Sequence, residues 1–229
     1  MYNLRHIENL LRPPSPSYNY QKKFVRYWLG KLIADKKCVV DVGSGSRQLA
    51  KGVINLDLQK LPKVNIVGDA NFLPLRKESI DAIISSALLE HVPKPQKIIY
   101  EIHQCLKPGG QVYFEVPFLQ PEHAVEIGDY QRYTLSGIRN LLKTFKCNET
   151  GVCIGPFSVF AWYFRKMPLI FIKSRKTQKL IEMIFAWLSF WVKYFDAFVK
   201  KTPNLQIING GVFYWGYKIN EKENSLHHK

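Results

Sequence analysis

The 229-residue chain is short of cysteine, of acidic residues and of long apolar runs, and each shortage removes a class of protein. Its four cysteines, Cys38, Cys105, Cys147 and Cys153, form no CxxC pair. A zinc site is therefore not expected, no metal is assigned, and the thiols suit a reduced, cytoplasmic setting. No apolar run reaches the roughly 18 residues that a spanning helix needs. The first twenty residues, with their Pro-Pro-Ser-Pro-Ser stretch, lack the apolar centre of a secretory signal. Asp and Glu number 18 against 33 Lys and Arg, a net charge of +15. That excess favours an anionic partner: nucleic acid, a membrane surface or a phosphorylated substrate. Repeats and low-complexity tracts are also missing, so the length is that of one large core with a small appendage.

What is present is an alternation of short apolar segments and helical ones. Strands are predicted at 38–42, 53–56, 64–67, 80–84, 111–116, 151–154 and 211–219, and helices at 20–34, 95–106 and 135–145. In the first helix Phe24, Tyr27, Trp28 and Leu32 fall on one face. Lys107-Pro108-Gly109-Gly110 reads as the break before the fifth strand. Continuous apolar strands joined by crossovers predict an α/β fold, a Rossmann-like, doubly wound, mostly parallel sheet. The expected division is an arm and helix at 1–37, the α/β core at 38–156, a basic aromatic helical insert at 157–206, and the last strand and tail at 207–229.

In such sheets ligands sit beyond the carboxyl ends of the strands. Asp41 ends the first strand and runs into Gly43-Ser44-Gly45, a turn that lets backbone approach a ligand closely. Asp57 ends the second strand, where a carboxylate can accept both hydroxyl protons of a ribose. Asp69, with Ala70 beside it, ends the third and is placed to meet an adenine amino group. The segments VVDVGSGS, INLDL, GDANFLPL, ESIDAIISSALLEHV and LKPGGQVYFEVPF, in that order, resemble the consecutive motifs of class I S-adenosylmethionine-dependent methyltransferases of the broad type 11 kind, over roughly residues 38–145. The resemblance implies a seven-stranded sheet of order 3-2-1-4-5-7-6 and S-adenosyl-L-methionine as cofactor. It implies that Gly43, Ser44 and Gly45 pass beneath the methionine part, with Asp41 holding the turn and the ammonium group. Asp57 and Leu58 would take the ribose, Asp69 and Ala70 the adenine, and Ser86 or Ala87 would line the pocket near the sulfonium. Two departures stand out. Arg47 occupies a position where family members often have a third glycine, and the stretch before the second strand is too short for a full helix. An arm residue such as Tyr18 or Tyr20 is one candidate for closing the methionine end. A nicotinamide site would require GxGxxG leading into a helix, which Gly43, Gly45, Arg47 and Gln48 do not supply.

The segment PFLQPEHAVEIGDYQRYT, which in related enzymes faces the acceptor, offers His123 as general base. Pro117, Asp129, Tyr130, Arg132 and Tyr133 are the residues expected to shape the acceptor pocket, although Asp129 and Arg132 could simply pair at i, i+3. His91, in LLEHV, reads as structural. Amino-directed nucleic-acid methyltransferases usually carry an Asp/Asn/Ser-Pro-Pro-aromatic run after the fourth strand. Ser85-Ser86-Ala87-Leu88-Leu89 stands there instead, which argues against base methylation.

Residues 157–201 hold nine Lys or Arg against two acids, Glu182 and Asp196. Drawn as one helix, the end of this insert places Glu182, Ser189, Lys193, Asp196 and Lys200 in a narrow polar stripe, and aromatic and aliphatic residues cover the rest. A wide apolar surface with Trp, Tyr and flanking cations suits a helix lying in a membrane interface. A hairpin covering the acceptor site, or an interface buried in a homodimer, is the competing use of that surface. The aromatics are massed rather than interleaved with cations, so nucleic acid is not the expected partner. Methyltransferases that resemble this chain in the DYQRYT-like segment, the insert and a final GVFYW-type strand are linked with cell-envelope polysaccharide or glycolipid synthesis. The implied acceptor is a small molecule, a saccharide or a lipid-linked compound, met at the inner face of a membrane. The alternatives are a non-catalytic protein of the same fold that binds a membrane or partner, and an RNA-directed methyltransferase.

Overall fold

The computed structural model describes residues 13–220; most of the arm, and the tail beyond Asn220, lie outside the described residues. Helix α1 (Lys22–Ala34) precedes strands β1 (Val39–Val42), β2 (Ile54–Asp57), β3 (Ile66–Val67) and β4 (Ile80–Ser86). Helix α2 (Pro95–Cys105), strand β5 (Leu106–Pro117), helix α3 (Leu135–Leu141) and strand β6 (Phe145–Ile154) follow. The insert carries α4 (Pro156–Lys166), α5 (Arg175–Ser189) and α6 (Asp196–Val199), and β7 (Gly211–Lys218) closes the sheet. The seven strands lie in the order β3-β2-β1-β4-β5-β7-β6, as the resemblance implies. β1 to β5 are parallel where they pair, and β7 is antiparallel to β5.

The sheet is parallel because its strands are apolar on both faces. All four residues of β1 are buried, and Val40, Ile83, Val112 and Phe114 are fully enclosed with Ile98 and Ile102 of α2. On α1, Trp28, Leu29 and Leu32 are buried, and Trp28 Nε1 donates to Gln111 Oε1 at 2.8 Å. Tyr27 corrects the expected face: it is 73% exposed, because it sits about 100° around the helix from Trp28. Lys107-Pro108-Gly109-Gly110 does not separate α2 from the next strand. It lies inside β5 as an irregularity, with Gly109 at φ +75°, where the pairing with β4 jumps from Leu106 to Gln111. α3 ends before the predicted residue 145, and β6 starts earlier than 151, the two trading residues. No regular helix forms between β1 and β2, in keeping with the short spacing.

The chain divides into two compact units. One contains Gln21–Phe118, Glu122–Cys153 and residues from 211 on, and holds the sheet; the other contains the arm up to Tyr20, Leu119–Pro121 and Ile154–Gly210. α1 thus belongs with the sheet, whereas the arm belongs with the insert.

The insert unit is built differently from the predicted single helix. α5 stops at Ser189, a 3-10 turn spans Val192–Phe195, and α6 starts at Asp196. Three of the five residues of the polar stripe are turned inward: Ser189, Lys193 and Asp196 are buried, while Glu182 is partly exposed and Lys200 exposed. Asp196 caps α4, its carboxylate accepting from the Phe157 and Ser158 amides at 2.9 and 3.0 Å and from Ser158 Oγ at 2.6 Å. Lys193 Nζ donates to the Ser15 carbonyl, and the buried Arg165 guanidinium donates to the carbonyls of Pro14 and Ala186 and to Ser189 Oγ. The arm therefore supplies acceptors for cations that the insert buries. Tyr18 and Tyr20 are used there as well: the Tyr18 amide donates to Ser158 Oγ and the Tyr20 hydroxyl to the Asp196 carbonyl.

Candidate functional site

The carboxyl ends of β1, β2 and β3 open into a cleft of about 440 Å³. Gly43, Gly45, Asp57, Leu58, Asp69, Ala70 and Ala87 line it on the strand-end side, and Leu88, His91, Ile127 and Tyr130 line the other. Gly43 has φ +74°, and a Cβ there would stand 3.0 Å from Leu88, so only glycine fits the turn without displacing its neighbour. The Gly43 and Ser44 amides donate to the Leu56 carbonyl, which fastens the turn to β2. Asp57 is held from both sides, Oδ2 accepting from the Gly45 amide at 2.8 Å and Oδ1 from the Gln59 amide at 2.9 Å. Its carboxylate is thereby fixed at the rim of the cleft. Asp69 caps the short turn that follows, Oδ1 accepting from the amide and the side chain of Asn71.

The other end of the strand-end region is closed by Arg47. Its Nε and Nη2 reach the two oxygens of the fully buried Asp41 at 3.0 Å each, and Nη1 reaches the Ser86 carbonyl at 3.0 Å. Burial pushes the Asp41 carboxyl up, and the Arg47 guanidinium opposes that rise. Ser86 Oγ is itself turned away, donating to Glu115 Oε2.

Beside the cleft, a short turn at Leu89–His91 brings a buried carboxylate between two imidazoles. Glu90 is 0% exposed, and neither carboxylate oxygen has a hydrogen-bond partner among the described residues. Burial pushes its carboxyl up to about 7. His91 Nε2 and His123 Nε2 each stand 3.9 Å from Glu90 Oε1. His123 Nδ1 is 3.6 Å from Asp129 Oδ2, and Asp129 is gripped by both terminal nitrogens of Arg132. That guanidinium holds the Asp129 carboxyl well below the usual range.

Residues 37–114 match a family model described as a methyltransferase domain. Over that stretch, about a third of its length, the chain is similar to a methyltransferase domain. Among curated relatives, the ubiquinone biosynthesis O-methyltransferase of Dechloromonas aromatica is 30% identical over 109 residues, which cover 38% of this chain and 47% of that one. The chain spans 31%, 22% and 47% of the lengths of three curated relatives that it matches. Among solved structures, the cyclase SpnF superposes with a TM-score of 0.52 at 14% identity, covering 90% of this chain and 85% of that one. Phosphoethanolamine N-methyltransferase 2 of Haemonchus contortus, in complex with S-adenosyl-L-methionine, gives 0.51 at 17% identity, covering 84% and 53%. These two likenesses are likenesses of fold.

Seven of the ten residues expected around the cofactor, Gly43, Gly45, Asp57, Leu58, Asp69, Ala70 and Ala87, line one cleft. Asp41, Ser44 and Ser86 do not line it; Asp41 and the Ser86 carbonyl are covered by Arg47, and Ser44 is buried. The strand-end carboxylate and the glycine turn fit a nucleoside, whereas the acid expected to meet the ammonium is already paired. Of the acceptor-pocket residues, Tyr130 lines the cleft. Pro117 and Tyr133 are buried, and the Tyr133 hydroxyl donates to the Leu89 carbonyl. Asp129 and Arg132 form the i, i+3 pair. His91 lines the cleft beside His123, a closeness that their separation in sequence hides. Glu90 was passed over, because an acid inside LLEHV looks like part of a solvated turn; the apolar residues on either side were the available signal for its burial.

Proposed function

We propose that the protein transfers a methyl group from S-adenosylmethionine to a small-molecule, saccharide or lipid-linked acceptor at a membrane surface. The observation that carries this reading is the doubly anchored Asp57 at the rim of the strand-end cleft, beside the left-handed Gly43 turn. In this reading Asp57 accepts the ribose hydroxyls, Asp69 and Ala70 flank the adenine, and Ala87 lies near the sulfonium. The cofactor brings a methyl group that is already activated. The protein's part is to hold donor and acceptor in line, which is worth roughly 7–11 kcal/mol in favourable cases. In this reading His123, whose ring packs against that of the cleft-lining His91, takes a proton from an acceptor hydroxyl. The membrane assignment draws on the cations Lys173, Arg175, Lys176 and Lys179 beside exposed aromatics. A homodimer that buries the same surface is the competing use.

A second reading, a non-catalytic module of the same fold, draws on the Arg47 guanidinium seated on Asp41. Calorimetry with S-adenosylmethionine and S-adenosylhomocysteine separates the two, since absence of binding at high micromolar ligand removes the enzyme. The acceptor is tested by incubating the protein with methyl-labelled cofactor and cell extract. Label is expected in the lipid or saccharide fraction, and Asp57→Ala is expected to reduce it about 10- to 100-fold, the worth of one to two lost charge-assisted hydrogen bonds. Label found in RNA or protein, or undiminished in the variant, defeats the proposal.

A further inference from the structure

Beside the cleft, around its lining residue His91, lie three features that catalysis by positioning does not require. The first is a carboxylate, Glu90, that is fully buried with neither oxygen hydrogen-bonded among the described residues. Leaving a buried polar group in that state costs about 1–3 kcal/mol, and more when it carries charge, so something must compensate. The second is convergence: one ligand atom each from Glu90, His91 and His123 lies within 4.8 Å of the others. The third is the outer support of both imidazoles. His91 Nδ1 is 2.6 Å from the Gly128 carbonyl, which can only accept, so Nδ1 carries a proton and Nε2 is the nitrogen that a neutral imidazole would offer as ligand. His123 Nδ1 faces Asp129 Oδ2, whose position Arg132 fixes. A histidine whose far nitrogen is turned to a backbone carbonyl or a carboxylate is oriented as metal-ligating histidines are.

We propose that Glu90, His91 and His123 form a binding site for a divalent first-row transition ion. Two imidazoles and one carboxylate suit Zn²⁺ and its neighbours, with bonds of about 2.0–2.2 Å, so that the donors of a tetrahedral site end roughly 3.3–3.6 Å apart. The 3.9 Å from Glu90 Oε1 to each Nε2 is a few tenths of an ångström wider, a gap that small side-chain rotations would close around an ion. Three protein ligands leave at least one position open, the arrangement of catalytic sites rather than of closed structural ones. The missing CxxC pair excludes a thiolate site and has no bearing on this one. His123 bound in this way serves as ligand rather than as proton acceptor, so the site revises the acceptor end of the proposed function. Cofactor binding at Asp57 does not depend on it.

The test uses the purified protein, stripped with chelator and titrated with Zn²⁺ by calorimetry and with Co²⁺ by visible absorption. One equivalent is expected to bind at micromolar or tighter affinity, with ligand-field bands in the Co²⁺ form. Glu90→Gln, His91→Gln and His123→Gln are each expected to weaken binding tenfold or more, while His103→Gln leaves it unchanged. His123 lies partly at the surface, so its variant keeps the test valid even if Glu90→Gln fails to fold. Failure to bind one equivalent overturns the site. So does binding that survives His91→Gln and His123→Gln, or that disappears when His227 and His228 are both changed to Gln. S-adenosylhomocysteine binding, measured on the same stripped protein, reports separately on the methyltransferase reading.

Discussion

The sheet unit and the insert unit solve the burial problem in opposite ways. In the sheet unit the interior is apolar, Val40, Ile83 and Phe114 being enclosed between strands and helices, and polar groups gather at the strand ends. In the insert unit the interior holds Arg165, Ser189, Lys193 and Asp196, each bonded to a carbonyl, a hydroxyl or an amide. Its exterior carries Phe171 at 85% exposed and Phe198 at 81%, with Trp187, Trp191 and Tyr194 about half exposed. Single exposed apolar residues are ordinary, but a surface massed with them marks a place where something docks. The rings are also in mutual contact, Trp191 to Phe195 and Phe195 to Phe198. One unit is thus held by apolar contact and presents polar groups; the other is held by directional bonds and presents apolar ones.

The contrast can be broken by substitution, and the largest effect is expected in the sheet. Ile83→Ala removes a fully buried side chain at the centre of β4 and is expected to cost about 4 kcal/mol, read as a lower denaturant midpoint. In the insert the interior substitution to compare is Asp196→Ala. It deprives two amides and the Ser158 hydroxyl of a buried acceptor and is expected to cost about 3 kcal/mol. A loss below about 1 kcal/mol would mean that the capping bonds do not hold the insert and that its polar interior is incidental. Asp196→Asn, which keeps one acceptor oxygen, should fall between the wild type and Asp196→Ala.

These effects also mark what could be read from sequence. The strand ends were legible because each of the first three short apolar runs stops at an acid or glycine and a parallel sheet lines those stops up; Asp57, Asp69 and Gly43 follow from that rule. The insert was not, because a helical wheel assumes one unbroken axis. The axis breaks after Ser189, and three residues of the polar stripe, Ser189, Lys193 and Asp196, become the interior. Arg47 was legible as a departure from the family's glycine, but nothing local to it says that its side chain folds back onto Asp41. Glu90 and His123 are 33 positions apart, and only the return of the chain after β5 brings them together.

The smallest expected effect decides what the outward-facing aromatics are for. Phe171→Ala and Phe198→Ala remove side chains that touch little of the folded protein, so each should change stability by no more than about 0.5 kcal/mol. If the surface rests on a lipid interface, each ring contributes about 1.5 kcal/mol there, and each substitution should weaken co-sedimentation with vesicles roughly tenfold. Lys173, Arg175, Lys176 and Lys179 would add about 1 kcal/mol apiece on anionic lipid, so the wild-type protein should pellet better with vesicles containing phosphatidylserine than with neutral ones, and less well as salt rises. Vesicle binding that ignores both substitutions removes the membrane assignment. A shift from dimer to monomer in either variant, with no vesicle binding by the wild type, would give the aromatic surface to a second copy of the chain. The inverted insert would then be an interface between protomers, and the acceptor of the methyl group would no longer be expected to come from a membrane.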